Sequence, residues 1–280
     1  MAEKPSARPR GLQHLLNDAP WEPDEVREED LRDYVAFHLG DQEGGVLIVD
    51  ETGFLKKGEK SVGVARQYTG TAGKRENCQV GVFLCYSSSQ GAAFIDRELY
   101  LPEEEWAYDP DRRGEAGIPE RVRFATKGEL AKAMLRRALE AGMPARWVVA
   151  DTAYGTARGF RGWLEKRGCY YVLAVPETRG VYREGRQRQA QTVAGSLPEE
   201  AWMRVSAGAG SKGDRLYDWA CSALCDEEPV SERSPVGTGR WLLMRRGIED
   251  PTERREEIRR CWGAFRDGMK RVPRWKRVSR

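Results

Sequence analysis

The sequence of 280 residues contains few histidines and no long apolar run, and these absences exclude several protein classes. With only two histidines, zinc fingers and histidine-based catalytic triads are disfavoured. None of the six cysteines forms a C-x-x-C pair, and the closest pair, Cys221 and Cys225, has no second ligand pair to complete a metal site. No apolar stretch approaches the ~18 residues of a membrane span. We therefore expect a cytoplasmic protein with reduced cysteines and no membrane partner.

Charge is present in both signs but is unevenly distributed along the chain. The net charge is +3, with −4 over residues 1–40, +7 over residues 252–280 and +4 over residues 51–75. The basic residues of this last segment are Lys56, Lys57, Lys60, Arg66, Lys74 and Arg75. Such clusters favour a polyanionic partner such as nucleic acid, although a basic terminal segment can also be no more than a solvated end.

Apolar patterns predict an α/β core between residues 46 and 175. The predicted strands are 46–49, 62–68, 79–86, 92–100, 147–150 and 170–175. The predicted helices are 12–39, one that starts at Thr126 and is ended by Gly142 and Pro144, and 156–166. The capping box formed by Thr126 and Glu129 marks the start of the central helix. Residues 102–120 and 179–188 read as loops, the second one basic, and short strands follow at 203–206, 215–223 and 241–245. After Pro251 the pattern is helical and highly charged.

These patterns divide the chain into four parts. We expect an N-terminal helical region over 1–40, an α/β core over 41–176, a β-rich insertion over 177–250 and a basic tail over 251–280. The core combines strands of antiparallel type with helix–strand units, so the predicted architecture is a mixed sheet flanked by helices.

Asp50 and Asp151 stand out because each follows an apolar strand and precedes a threonine. In α/β sheets, ligands collect beyond the carboxyl ends of strands. Two carboxylates emerging there from neighbouring strands would repel each other, and a divalent cation would remove that repulsion. Oxygen ligands without histidine favour Mg²⁺ or Mn²⁺. The alternative is that each aspartate only caps the turn or helix that follows it.

Several long segments resemble the insertion-sequence transposases of the DDE superfamily. The resemblance runs collinearly over about residues 12–250, and its strongest segments are LIVDETGFLKKGEKSVGVARQYTGTAGKRENCQVGVFLCY, IDRELYLPEEEWAYD, FATKGELAKAMLRRALEAGMPARWVVADTAYG and YYVLAVPET. It implies an RNase H-like fold with a two-metal site. By motif, Asp50 corresponds to the first catalytic, metal-binding aspartate of the family and Asp151 to the second.

The function implied by this resemblance is DNA transposition. Such enzymes use Mg²⁺ (or Mn²⁺) to cut the ends of their element and join them to target DNA, so the expected partners are element-end DNA and target DNA, with a possible homodimer on DNA. The residues expected to contact phosphates are Lys56, Lys57, Lys60, Lys74 and Arg75. Trp147 and Tyr154 belong either to the core or to the DNA-facing surface.

The sequence departs from the family at its third carboxylate, a glutamate in a W-x-I-E-x-x-F-like segment that is not found here. The resemblance stops after GRWLLMRRGIEDPTE, and the following residues are Arg-rich and unrelated. Glu253, Glu256 and Glu257 do not match the motif. We therefore expect a chain truncated at both ends relative to the family, with impaired catalysis. The alternative is a non-catalytic remnant that binds DNA without cutting it.

Overall fold

The computed structural model describes residues 22–210, 213–224 and 240–248, the backbone of 260–263, and the single residues His14, Asp18 and Pro20. Strands β1 to β12 are Val46–Leu55, Ala65–Thr69, Lys74–Ser88, Gly91–Leu99, Trp147–Ala150, Tyr170–Val175, Gly180–Arg183, Arg186–Gln189, Met203–Gly210, Gly213–Leu224, Arg240–Arg246 and Arg260–Gly263. Helix α1 comprises the consecutive helical segments Pro23–Glu25, Val26–Leu31 and Arg32–Leu39. Helices α2 to α6 are Pro110–Glu115, Lys127–Glu140, Thr152–Gly155, Phe160–Lys166 and Ala190–Gly195.

Ten of the described strands form one mixed sheet in the order β2-β3-β1-β5-β6-β12-β11-β10-β9, with β4 also paired to β3. Strand β1 is antiparallel to β3 and parallel to β5, and β5 is parallel to β6. An antiparallel meander followed by two parallel strands with helical crossovers is the RNase H-like arrangement. The predicted fold class, a mixed sheet flanked by helices, is therefore confirmed.

One face of this sheet packs against helix α3. Leu47 and Val49 of β1 and Val148 of β5 lie on that face and are buried, as are Met134 and Leu135 of the helix. Fully burying such a side chain contributes about 1.5–3 kcal/mol, so this layer is the main source of stability in the core. The helix begins at the predicted capping box, in which the Thr126 side chain accepts from Glu129 N–H and the Glu129 carboxylate accepts from Thr126 N–H.

A buried ion network ties helix α1 to this layer. Asp96 of β4 is fully buried and contacts Arg27 at 3.1 Å, Arg32 at 2.9 Å and Arg137 of α3 at 2.9 Å. The network continues through three further acidic residues and one further arginine, namely Asp24, Glu28, Glu98 and Arg97. It therefore contains four carboxylates and four guanidinium groups.

A second apolar cluster lies under the later strands. Its buried members come from α6, β10 and β11 and include Val193, Ala220, Leu242 and Met244. Strand β12 lies between β6 and β11, so the later strands continue the same sheet. Among the described residues, no helix is long and apolar enough to cross a membrane. The division of the chain at residues 40, 176 and 250 stays a prediction.

Three predicted segments differ from the structure. The basic stretch 179–188 is not a loop but the hairpin β7–β8, whose turn residues Glu184 and Gly185 have φ of 53° and 70°. Residues 102–120 contain a helical turn, Glu103–Ala107, and helix α2, whose shortness hides any apolar stripe. The helical pattern after Pro251 is wrong at 260–263, where pairing with β6 and β11 overrides local propensity.

Candidate active site

Asp50 and Asp151 lie side by side because their strands are parallel neighbours. The register pairs Val49 of β1 with Ala150 of β5, so the two aspartates are the next residues on adjacent strands. Neighbouring strands are about 4.8 Å apart, so about one strand spacing separates the backbones at the two residues. The geometry expected from the sequence, two carboxylates at one edge of the sheet, is thus present.

Both aspartates line the same small cavity. The cavity measures about 210 Å³, and its other lining residues are Ile48, Val49, Val149, Ala150, Thr152 and Ala174. Asp50 and Asp151 are themselves exposed. The cavity therefore has an apolar wall on one side and two solvent-accessible carboxylates on the other.

The sequence suggested that strand β1 ends at Asp50, but in the structure the strand continues to Leu55. The reason is its antiparallel partner β3, which pairs with β1 as far as Leu55 and Cys78. The Asp50 carboxylate accepts a hydrogen bond from the Glu51 N–H at 2.8 Å. Asp50 is therefore held inside a strand and not in a turn, which fixes its backbone more firmly than the sequence indicated.

Asp151 caps helix α4. Its carboxylate accepts from the Ala153 N–H at 2.9 Å, so the capping interpretation is correct for this residue. Gly155 lets α4 pack directly on β6, because a Cβ at this position would lie 1.9 Å from the Ala174 carbonyl oxygen. Capping leaves the carboxylate in the cavity and orients it, so it does not conflict with a role in ion binding.

The electrostatics of the pair favour an added cation. Burial raises the pKa of Asp151, and the negative charge of Glu51 raises it further, with a smaller effect from Asp50. The helix-capping hydrogen bond from Ala153 opposes this rise in pKa. Among the described residues, no basic side chain lies within 4 Å of either aspartate, so their charges are not neutralised by the protein there.

Sequence reasoning missed the group directly behind the two aspartates. Glu51 follows the inward alternation of β1, and its Oε1 lies 2.8 Å from Nζ of Lys127, the first residue of α3. The two side chains are only 21% and 26% exposed. Glu51 Oε2 and the Tyr154 hydroxyl are buried without a hydrogen-bond partner.

Tyr154 belongs to the core, since it is fully buried and packs near Phe160. Burial raises the pKa of Tyr154, as does the charge of Glu51, so the hydroxyl stays protonated. Trp147 is half-buried and stacks near Tyr170 with ring centroids 5.1 Å apart.

A signal for Glu51 was nevertheless present in the sequence. Successive side chains of a strand point to opposite faces, so Glu51 falls on the same face of β1 as the buried Leu47 and Val49.

The basic residues predicted to bind DNA lie along the β1–β2 connection and the start of β3. Lys57, Lys60, Lys74 and Arg75 are exposed, and Lys56 is half-buried. Lys74 forms an ion pair with Glu76 at 2.7 Å, while Arg75 donates to the Arg66 carbonyl oxygen at 3.0 Å. Their assignment to DNA stays a prediction.

A larger cleft, of about 700 Å³, lies beside this connection. Its charged lining residues are Glu59, Lys60, Arg66, Glu105, Arg112 and Glu115, three of each sign. The Arg112 guanidinium covers the Trp106 ring at 3.9 Å. Because its charges balance, this cleft lacks the excess of one sign seen at the two aspartates. Its aromatic ring is also covered by a side chain of the protein.

Within the described residues, no cluster of three or more His, Cys, Asp or Glu side chains has the geometry to hold a metal ion. Asp50 and Asp151 bring two carboxylates to the cavity. The glutamates considered for the third position, Glu253, Glu256 and Glu257, lie outside the described residues, as does the basic tail apart from the backbone of 260–263.

The comparison with known families agrees with this geometry. Residues 1–201 match the family described as DDE superfamily endonuclease. The chain belongs to this family. The match includes both aspartates, the basic connection after Asp50 and helix α3, so the predicted resemblance is confirmed.

Two individual proteins are similar to this family member. The probable transposase for insertion sequence element IS701 from Microchaete diplosiphon is 32% identical over 168 residues, which is 59% of this chain and 40% of the relative. The chain thus spans about two-fifths of that relative. The crystal structure of the NurA nuclease from Sulfolobus solfataricus shares 9% identity at a TM-score of 0.31, covering 93% of this chain and 79% of that one. A score this low supports no inference.

Proposed function

We propose that this chain supplies the DNA-cleaving centre of an insertion-sequence transposase. In this reaction, the enzyme cuts DNA at the ends of the element and joins the exposed 3′ hydroxyls to target DNA. One observation carries the proposal: Asp50 and Asp151 enter one cavity from neighbouring parallel strands, with no basic side chain of the described residues paired to them. Family membership and the IS701 relative support a DNA phosphodiester as the substrate.

The residues present fit a divalent cation. Asp50, Asp151 and Glu51 carry three formal negative charges, and Lys127 returns one positive charge, so the cluster has a net charge of −2. Asp50 and Asp151 would hold Mg²⁺ or Mn²⁺, which commonly bind one or two carboxylates together with waters and substrate phosphates. Bound there, the ion would lower the pKa of the attacking water and stabilise the leaving oxygen.

The surrounding residues position these carboxylates. Strand pairing on both sides of β1 fixes the backbone before Asp50, and the α4 cap orients Asp151. Lys127 holds the Glu51 carboxylate on the core side of the sheet. The phosphate-binding role is proposed for the basic residues that follow Asp50, namely Lys56, Lys57, Lys60, Lys74 and Arg75, because phosphate contacts fix the register of DNA on a protein.

The test is Mg²⁺-dependent nicking of a duplex that contains the element end. Asp50→Asn and Asp151→Asn are expected to lower the nicking rate at least about 100-fold, the usual effect of losing one preorganised electrostatic group. Asp33→Asn, at an exposed position of α1, is the matched control and is expected to nick normally. Nicking that survives both site substitutions would overturn the assignment.

Cation binding gives a readout that does not depend on cleavage. Titration with Mg²⁺ or Mn²⁺ is expected to raise the melting temperature of the unmodified chain, because a ligand that binds only the folded state stabilises it. Asp50→Asn and Asp151→Asn are expected to abolish most of this rise, and Asp33→Asn to retain it. An equal rise in all four proteins would show that the ion binds elsewhere.

The second candidate function is DNA binding without cleavage. It is favoured by the observation that only two carboxylates, those of Asp50 and Asp151, line the cavity among the described residues. A chain of this kind would shift the duplex in a gel and nick it at no measurable rate, with or without the aspartates. Measuring the mass of the complex on DNA would test the expected homodimer at the same time.

A further inference from the structure

We infer that the hairpin β7–β8 is a second DNA contact, which binds the phosphate backbone next to the two-aspartate cavity. This inference rests on the proposed function, because it takes DNA as the substrate. The hairpin carries four arginines between residues 179 and 188, namely Arg179, Arg183, Arg186 and Arg188. Glu184 is the only acidic residue in this segment.

Three of the four arginines of the hairpin have no close carboxylate partner among the described residues. Elsewhere many arginines have close carboxylate partners, for example Arg240 with Glu165 at 3.0 Å. In the hairpin, only Arg183 has one, Glu184 at 3.3 Å. Among the described residues, no carboxylate lies within 4 Å of the other three, Arg179, Arg186 and Arg188. Their positive charge is thus left for an external anion.

The strand register makes this lack of compensation costly. Arg183 lies directly opposite Arg186, and like charges in opposite positions destabilise an antiparallel pair. Arg188 is half-buried, and its Nε is buried without a hydrogen-bond partner. Burying part of an unpaired cation opposes folding. An anion at the guanidinium groups would offset both costs.

The base of the hairpin is nevertheless fixed to the protein. The Arg179 carbonyl oxygen accepts from the Ala190 N–H at 2.9 Å, and the Glu177 carbonyl oxygen accepts from the Gln191 N–H at 2.9 Å. Val181 packs against the second apolar cluster. An isolated two-stranded hairpin is marginal in water, so these anchors hold a charged element that would not persist alone.

The chain path places the hairpin close to the cavity. Ala174 lines the two-aspartate cavity, and Arg179 follows it by five residues, which span at most about 17 Å. A tight turn, closed by the hydrogen bond from Arg179 N–H to the Pro176 carbonyl oxygen, shortens this distance. About five phosphates of one DNA strand cover 17 Å at 3.4 Å each. A DNA strand that runs from the aspartates past the end of β6 therefore reaches Arg179, at the base of the hairpin.

The test is the salt dependence of binding to a duplex of about 30 base pairs. Each lost phosphate contact is expected to lower the slope of log affinity against log salt by about 0.9, and the affinity at 0.1 M salt by roughly eightfold. We expect this for Arg186→Gln and twice the slope change for Arg186→Gln combined with Arg188→Gln. Arg186→Lys, which keeps the charge, is expected to restore most of the slope.

Arg136→Gln is the matched control, because Arg136 is exposed on α3, which packs on the sheet face that holds Leu47 and Val49. Equal losses in Arg136→Gln and Arg186→Gln, or no change in Arg186→Gln, would overturn the inference. Because Arg186 is exposed, the single substitution Arg186→Gln is expected to leave the fold intact, even if the double variant with Arg188→Gln does not fold. Asp50→Asn separates the two proposals, since it is expected to abolish nicking and leave the salt slope unchanged. An unmodified chain that binds no DNA would overturn both.

Discussion

The Asp96 network and the cluster around Asp50 and Asp151 belong to the same sheet but differ in charge balance. Four arginines neutralise the four carboxylates of the Asp96 network, three of them in direct contact with Asp96. The two aspartates of the cavity have no basic side chain within 4 Å among the described residues, and Lys127, on the core side of β1, is paired with Glu51. A buried network that serves the fold is closed within the protein, whereas the cavity leaves a charge that a ligand can balance.

The largest effect is expected at Asp96. Asp96→Ala leaves three partly or fully buried arginines without their shared partner, and breaking a buried ion pair costs about 3–5 kcal/mol. Urea unfolding measures this loss. Asp24→Asn, at the exposed end of the same network, is the control and is expected to cost less than about 1 kcal/mol. Similar losses for both substitutions would show that burial does not set the energetics of the network.

A smaller loss of folding stability is expected for substitution of Lys127. Lys127→Met leaves the Glu51 carboxylate without its partner and moves the formal charge of the cluster from −2 to −3. A partly buried group that loses its partner costs about 1–3 kcal/mol. Added Mg²⁺ is expected to recover more stability in this variant than in the unmodified chain, measured as the shift in melting temperature. An equal shift in both would separate Glu51 from the cation site.

At Asp151, substitution is expected to raise the stability of the fold in metal-free buffer, whereas the substitutions at Asp96 and Lys127 lower it. Because the pKa of Asp151 in the folded chain is raised above its ordinary value of 3.8, its contribution to stability is full below about pH 4 and is lost as pH rises through the folded pKa. Asp151→Asn keeps the helix cap but not this titration. The variant is therefore expected to gain stability relative to the unmodified chain as pH rises.

Saturating Mg²⁺ is expected to reverse that order, because only the unmodified chain binds the ion tightly. Melting curves at several pH values, with and without the metal, measure both effects. A variant that loses stability in metal-free buffer would show that Asp151 serves mainly as a structural cap.

The smallest effect is expected at Tyr154. Tyr154→Phe removes a buried hydroxyl that lies near the Glu51 carboxylate but forms no hydrogen bond of normal geometry, so stability is expected to stay within about 1 kcal/mol or to rise. Tyr86→Phe is the matched control, since the Tyr86 hydroxyl donates to the Pro144 carbonyl oxygen at 2.9 Å and accepts from the Asp41 N–H. A loss for Tyr154→Phe as large as for Tyr86→Phe would mean that the Tyr154 hydroxyl is paired in solution.

Local sequence signals predicted most of the core. The apolar runs before Asp50 and Asp151 became β1 and β5, and the capping box at Thr126 became the start of α3. These signals are strong because strand burial and helix capping depend on residues close together in sequence. The hairpin at 179–188 was missed because its strands are only four residues long and β8 is entirely polar, so no alternating apolar pattern marks them.

By itself, the sequence determined the strand and helix pattern of the core, the two aspartates after apolar strands and the basic clusters. Only the tertiary structure decided that β1 extends past Asp50, that Glu51 pairs with Lys127, and that residues 180–189 form a basic hairpin anchored to the second apolar cluster. Residues 51 and 127 are 76 positions apart, and their contact depends on the register of the sheet and the packing of α3. Charge balance in the interior is a property of such long-range contacts, so it becomes visible only when the chain is folded.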